Sequence, residues 1–98
     1  MKDYFGNEFH PTEMYKLINF LIKAKIPFEV NEIMDTPQIC YPSKESCVCD
    51  AICHSGSYGH ENGLLEILGL TTDLDDVEGW LTADEVFDRI QKDFTGRG

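Results

Sequence analysis

CVCDAICHSGSYGHENGLLEI, residues 47–67, decides the fold of this 98-residue chain. It holds three cysteines, two histidines and three glycines, and it reads as three successive pieces. Residues 47–54 read as a strand. Successive side chains of a strand point to opposite faces, so Cys47, Cys49, Ala51 and Cys53 share one face, while Val48, Asp50, Ile52 and His54 share the other. Four small residues on one face would let a helix lie close, and cysteine packs well as a small apolar group. Residues 55–63 are rich in Gly, Ser and Asn and read as a loop. Residues 64–68 read as a short helix that stops at Gly69, where glycine accepts the left-handed backbone of a helix end.

Upstream of this stretch, Met14, Leu17, Ile18, Leu21 and Ile22 recur at helical spacing and predict one amphipathic helix. Thr12 or His10 could begin it, and Pro27 ends it, because the residue before proline avoids helical backbone. The period then changes from helical to extended. Phe28 to Asn31 alternates apolar with polar and reads as a strand; Asp35-Thr36-Pro37 supplies a turn; Gln38 to Tyr41 reads as a second strand stopped by Pro42. Short connections favour antiparallel neighbours, since a parallel crossover needs a dozen or more residues.

Downstream, residues 71–79 read as an acidic loop. Thr82 and Glu85 then form a T-x-x-E capping box, with Leu81 and Val86 placed as a hydrophobic staple. Val86, Phe87, Ile90 and Phe94 predict the buried stripe of a last helix, and Trp80 just before it reads as a core anchor. The expected fold is therefore α+β: a three-stranded antiparallel meander packed by an N-terminal and a C-terminal helix, in the order α-β-β-β-α-α. Residues 1–98 form one domain in this reading, with residues 1–9 loosely ordered.

Composition narrows the function. Eighteen acidic against eight basic residues leave a net charge of −10, which repels nucleic-acid phosphates and argues against direct nucleic-acid binding. No apolar run reaches the roughly 18 residues of a membrane span, and the start MKDYFGNEFHP has no apolar signal core. The expectation is a cytoplasmic protein, without membrane contact, whose cysteines stay reduced.

Three chemistries compete for the opening stretch. Zinc would draw on Cys47, Cys49, Cys53 and His54. Two strand residues on one face stand about 6.6 Å apart, whereas two thiolates on one tetrahedral zinc sit about 3.8 Å apart. Zinc is thus the lesser alternative, and no cofactor is expected. A nucleophilic Cys53–His54 pair fails because neighbours on a strand face opposite ways. Acid–base work by His60, Glu61 and Glu66 lacks a convergent motif, so no catalytic residue is assigned. Asp73, Asp75, Asp76 and Glu78 do not match a calcium loop, which needs Gly at its sixth and Glu at its twelfth position.

A ligand loop fits better. Gly56 and Gly59 allow close backbone approach; Ser57, His60 and Asn62 offer polar groups; Tyr58 could stack on a planar base. The start of a helix over 64–68 would favour an anion such as phosphate. Gln38 and Tyr41, from the second strand, join the candidate set, although their opposite parity puts them on different faces.

IPFEV at 26–30, PQICYP at 37–42, GSYGHENGLLEILGL at 56–70 and VEGWLTADEVF at 77–87 resemble a group of small uncharacterised proteins of phages and mobile elements from Gram-positive bacteria. The resemblance carries no activity and assigns no residue a role. It implies a phage accessory protein acting on a host component, with counter-defence as one class. The first expectation is sequestration of a small, nucleotide-like ligand without catalysis, in a pocket that a homodimer could complete. The alternative is a protein–protein interaction inhibitor that docks an acidic face on a basic host protein.

Overall fold

Seven regular elements build the sheet and its cover: α1 (Thr12–Ala24), β1 (Glu29–Ile33), β2 (Thr36–Pro42), β3 (Cys47–Ile52), β4 (Leu65–Leu68), β5 (Val77–Leu81) and α2 (Ala83–Arg97), with one 3-10 turn at His60–Asn62. The structure, a computed structural model, describes residues 2, 6–33, 36–72 and 76–97. The expected turn residue Asp35 and the acidic Asp73 and Asp75 lie outside these described residues.

The sheet has five strands, not the expected three. They run in chain order β1-β2-β3-β4-β5, every neighbour antiparallel. Residues 64–68 are not a helix. In β4, Leu65 and Ile67 are buried, Glu66 is half-buried and Leu68 is exposed, a period of two that places alternate residues in the core. Gly69 does adopt left-handed backbone, but in the β4–β5 connection rather than at a helix end. The end of the expected acidic loop is β5, in which Glu78 lies opposite Ile67 and Leu81 opposite Leu65. The order is α-β-β-β-β-β-α.

Both helices cover one face. Ile39 and Tyr41 of β2, Cys49 and Ala51 of β3, Cys53 just beyond it, and Leu65 and Ile67 of β4 meet Met14, Leu17 and Leu21 of α1 and Val86 and Ile90 of α2 in a single buried cluster. Ile22 and Phe94, expected in the buried stripes, are exposed, because each apolar stripe is narrower than its sequence period suggested. Phe9, expected in a loose end, is buried in the cluster.

The helix ends follow local chemistry. Lys25 closes α1 in left-handed backbone, its N–H bonded to the Ile22 carbonyl at 3.1 Å. The capping box holds: the Glu85 N–H donates to Thr82 Oγ1 at 3.3 Å, and the Thr82 N–H to Glu85 Oε1 at 3.1 Å. The Ala83 N–H at the start of α2 donates to Glu13 Oε1 of α1 at 2.9 Å, tying the two helices together. Among the described residues, no helix is long and apolar enough to cross a membrane.

Candidate functional site

The face that the helices leave uncovered carries the functional candidates. Strand parity and register align Asn31, Gln38, Ile52 and Glu66 across it, with Glu29, Cys40, Asp50, Leu68 and Val77 in the adjoining row. Polar side chains knit the first strands together. Asn31 Nδ2 donates to Gln38 Oε1 at 3.1 Å, and Gln38 Nε2 to Asp50 Oδ2 at 2.7 Å. Asp50 Oδ1 also accepts the Leu68 N–H at 3.2 Å. Among the described residues, none of the carboxylates of Glu29, Asp50 and Glu66 has a basic side chain in ion-pair range.

The β5 end of this face is aromatic. Two residues, Gly79 and Trp80, lie between the pairs Ile67–Glu78 and Leu65–Leu81, so β5 bulges opposite Glu66. Trp80 takes left-handed backbone with φ 55°, which costs a non-glycine residue about 1–2 kcal/mol. It is not the expected core anchor: the indole is 57% exposed and stacks on the Tyr58 ring at 5.2 Å, 18° from parallel. Tyr58 is 56% exposed. Its Cβ lies where any side chain at position 79 would begin, so Gly79 is required for the stack. The Trp80 N–H donates to the Tyr58 carbonyl, and the Tyr58 N–H to Glu66 Oε2 at 2.6 Å. Tyr58, Trp80 and Glu66 are thus one joined group.

The glycine-rich loop itself is closed inward. Ser57 is buried, its Oγ accepting the His54 N–H at 2.9 Å and donating to the His54 carbonyl at 3.0 Å. Gly56 N–H donates to His54 Nδ1, and the N–H groups of His60, Asn62, Gly63 and Leu64 donate to carbonyls inside the loop. Gly59, at φ 89°, packs against Trp80 and Leu64. His60 meets the Phe9 ring edge-on at 5.1 Å, and its Nδ1 lies 2.7 Å from the Ser57 carbonyl. Asn62 is exposed beside a shallow cleft of about 250 Å³ shared with Glu8 and His10. The N–H groups of Gly56, Ser57 and Tyr58, which would have cradled a phosphate, are bonded within the protein, and the helix start that would have reinforced them is a strand.

Of the sequence-predicted residues, Gln38 and Tyr58 reach the uncovered face. Tyr41 does not: it is buried under α2, where its hydroxyl donates to Asp93 Oδ2 at 2.7 Å. Burial, with Asp93 second, pushes its phenol up to about 12. The Arg89 guanidinium, which could otherwise draw an anion, is held by Glu78 on the helix side at 2.7 and 2.9 Å. Trp80, Glu66 and Asp50 were not placed at a binding surface by the sequence; adjacent Gly79 and Trp80 in a strand were the available signal of a bulge.

The thiols divide between the two faces. Cys49, Ala51 and Cys53 point into the core as expected, and burial pushes Cys49 up to about 12 and Cys53 up to about 11. Cys47 departs from them. Tyr41 opposes Cys49 but Pro42 opposes Cys47, so Val48 is an extra residue and the strand turns Cys47 to the uncovered face, where it is exposed. The zinc candidates Cys47, Cys49, Cys53 and His54 are therefore not brought together, and no group of three or more His, Cys, Asp or Glu side chains among the described residues is arranged to hold a metal ion.

No protein-family model matches the chain, and no curated protein or solved structure does.

Proposed function

We propose that the protein is a non-catalytic docking module whose uncovered sheet face takes an arginine- or lysine-bearing segment of another protein. One observation carries this reading: the exposed Tyr58–Trp80 stack stands directly beside Glu66, on a face that also carries the carboxylates of Asp50 and Glu29. An aromatic face attracts a cation by about 0.5–2 kcal/mol. An exposed ion pair adds about 0.2–1 kcal/mol. Neither suffices alone, so useful affinity requires several basic side chains reaching several of these groups together. The net charge of −10 steers such a partner inward from a distance. In the phage setting suggested by the sequence resemblance, the partner is a basic host protein and the outcome is counter-defence by occlusion. A phosphorylated small ligand is the weaker reading, because the N–H groups of Gly56, Ser57 and Tyr58 are bonded within the protein and the carboxylates of Asp50 and Glu66 oppose an anion.

Trp80 is the only tryptophan, so its emission reports on the face directly. Titration with an arginine-rich peptide should shift that emission and release heat in calorimetry, with affinity falling steeply as salt rises. Tyr58→Ala and Glu66→Gln should each weaken binding at least several-fold. Unchanged Trp80 emission, or equal binding of an acidic peptide of the same length, would count against the proposal.

A further inference from the structure

We propose that Cys40 and Cys47 are a reversible disulfide pair across β2 and β3, closed by exchange with a low-molecular-weight disulfide such as oxidised glutathione. The pairing follows from the bulge. In an unbroken ladder Cys47 would share the core face with Cys49, and the sheet would separate it from Cys40. The extra residue Val48 turns Cys47 over, opposite Pro42, and Cys40 stands two positions from Pro42 on that same face. After burial, Cys47 is the main influence on the Cys40 thiol, as expected of a neighbour on the same face. A disulfide needs its Cβ atoms about 3.5–4.5 Å apart, and a bulged strand end beside the 43–46 turn is where the backbone can adjust to reach this. Cys49 and Cys53 are shut beneath the helices, so the sheet sorts the four thiols into a pair on its uncovered face, with Cys47 exposed, and a pair in the core.

Exposure sets the order of the steps. Cys47 is exposed and Cys40 is only 6% exposed. The Cys47 thiolate attacks one sulfur of oxidised glutathione, forming a protein–glutathione mixed disulfide and releasing one glutathione thiolate. The Cys40 thiolate then attacks Cys47 Sγ, forming the intramolecular bond and releasing the second. The protein loses two electrons and two protons, and one oxidised glutathione becomes two reduced molecules. Burial first, and Asp50 after it, push the Cys47 thiol up, so uncatalysed exchange takes minutes to hours. This pairing stands independently of the docking reading.

The test incubates the folded protein with oxidised glutathione and follows intact mass and thiol count. The wild type should lose two hydrogens, fall from four free thiols to two, yield a Cys40–Cys47 linked peptide, and recover with dithiothreitol. Cys40→Ser should stop at a glutathione adduct on Cys47, and Cys47→Ser, at an exposed position that folding does not need, should remain unmodified. A Cys49→Ser/Cys53→Ser protein should still close the bond. A wild type that stays fully reduced, stops at the mixed disulfide, or links any other pair overturns the proposal.

Discussion

Replacing Glu78 with Gln tests the contact that fastens β5 to α2. The Glu78 carboxylate accepts two bonds from the Arg89 guanidinium, at 2.9 and 2.7 Å, and two from Thr72, from its N–H at 2.9 Å and its Oγ1 at 3.0 Å. Arg89, with Thr72 behind it, pushes the Glu78 carboxyl down from 4.5 to about 2. At 1.36 kcal/mol per tenfold change this corresponds to about 3 kcal/mol. Both side chains keep some solvent contact, 20% for Glu78 and 17% for Arg89, and screening reduces the figure to about 1–2 kcal/mol. In a domain of this size that is roughly 5–15 °C in Tm. The folded-state pKa lies below the unfolded one, so the stabilisation is fully present above about pH 4.5 and is lost as the pH falls toward 2, with roughly half gone by pH 3. Thermal unfolding of wild type and Glu78→Gln should therefore show a gap at pH 7 that narrows on acidification. Glu13 and Asp93 are also held low, but both proteins contain them and their effects cancel in the difference. No gap at pH 7, or a gap of constant size down to pH 3, would refute the reasoning.

Other substitutions probe the remaining links. Leu65 is fully buried, so Leu65→Ala should cost about 2–5 kcal/mol in urea unfolding; a residue on a surface helix over 64–68 would cost far less. Thr82→Ala removes the cap of α2 and should cost about 1 kcal/mol, read as a lower thermal midpoint with little change in helix signal at room temperature. Tyr41→Phe leaves Asp93 with Arg97 but without the phenol donor and should cost about 1–2 kcal/mol by chemical denaturation. Gly79→Val should drive Tyr58 off Trp80, visible as altered Trp80 emission in a protein that remains folded.

Local chemistry was enough to place α1, the cap of α2 and the inward turn of Cys49, Ala51 and Cys53, because each depends on residues within one element: helical spacing, a T-x-x-E box, strand parity. It was not enough for β4. Residues 64–68 offer five positions, four of them apolar, and satisfy one helical turn and one buried strand equally well; the open edges of β3 and β5 on either side settle the matter by supplying ladder partners. Nor could it place Cys47 or Trp80. Each owes its position to a bulge, and a bulge arises when two strands of unequal length must pair, which neither strand encodes alone. Thus the sequence determined which segments carry a core face, since period and side-chain size are local properties. Only the assembled sheet decided how many strands share that core and which residues its uncovered side presents, since pairing and register are properties of segments far apart in the chain.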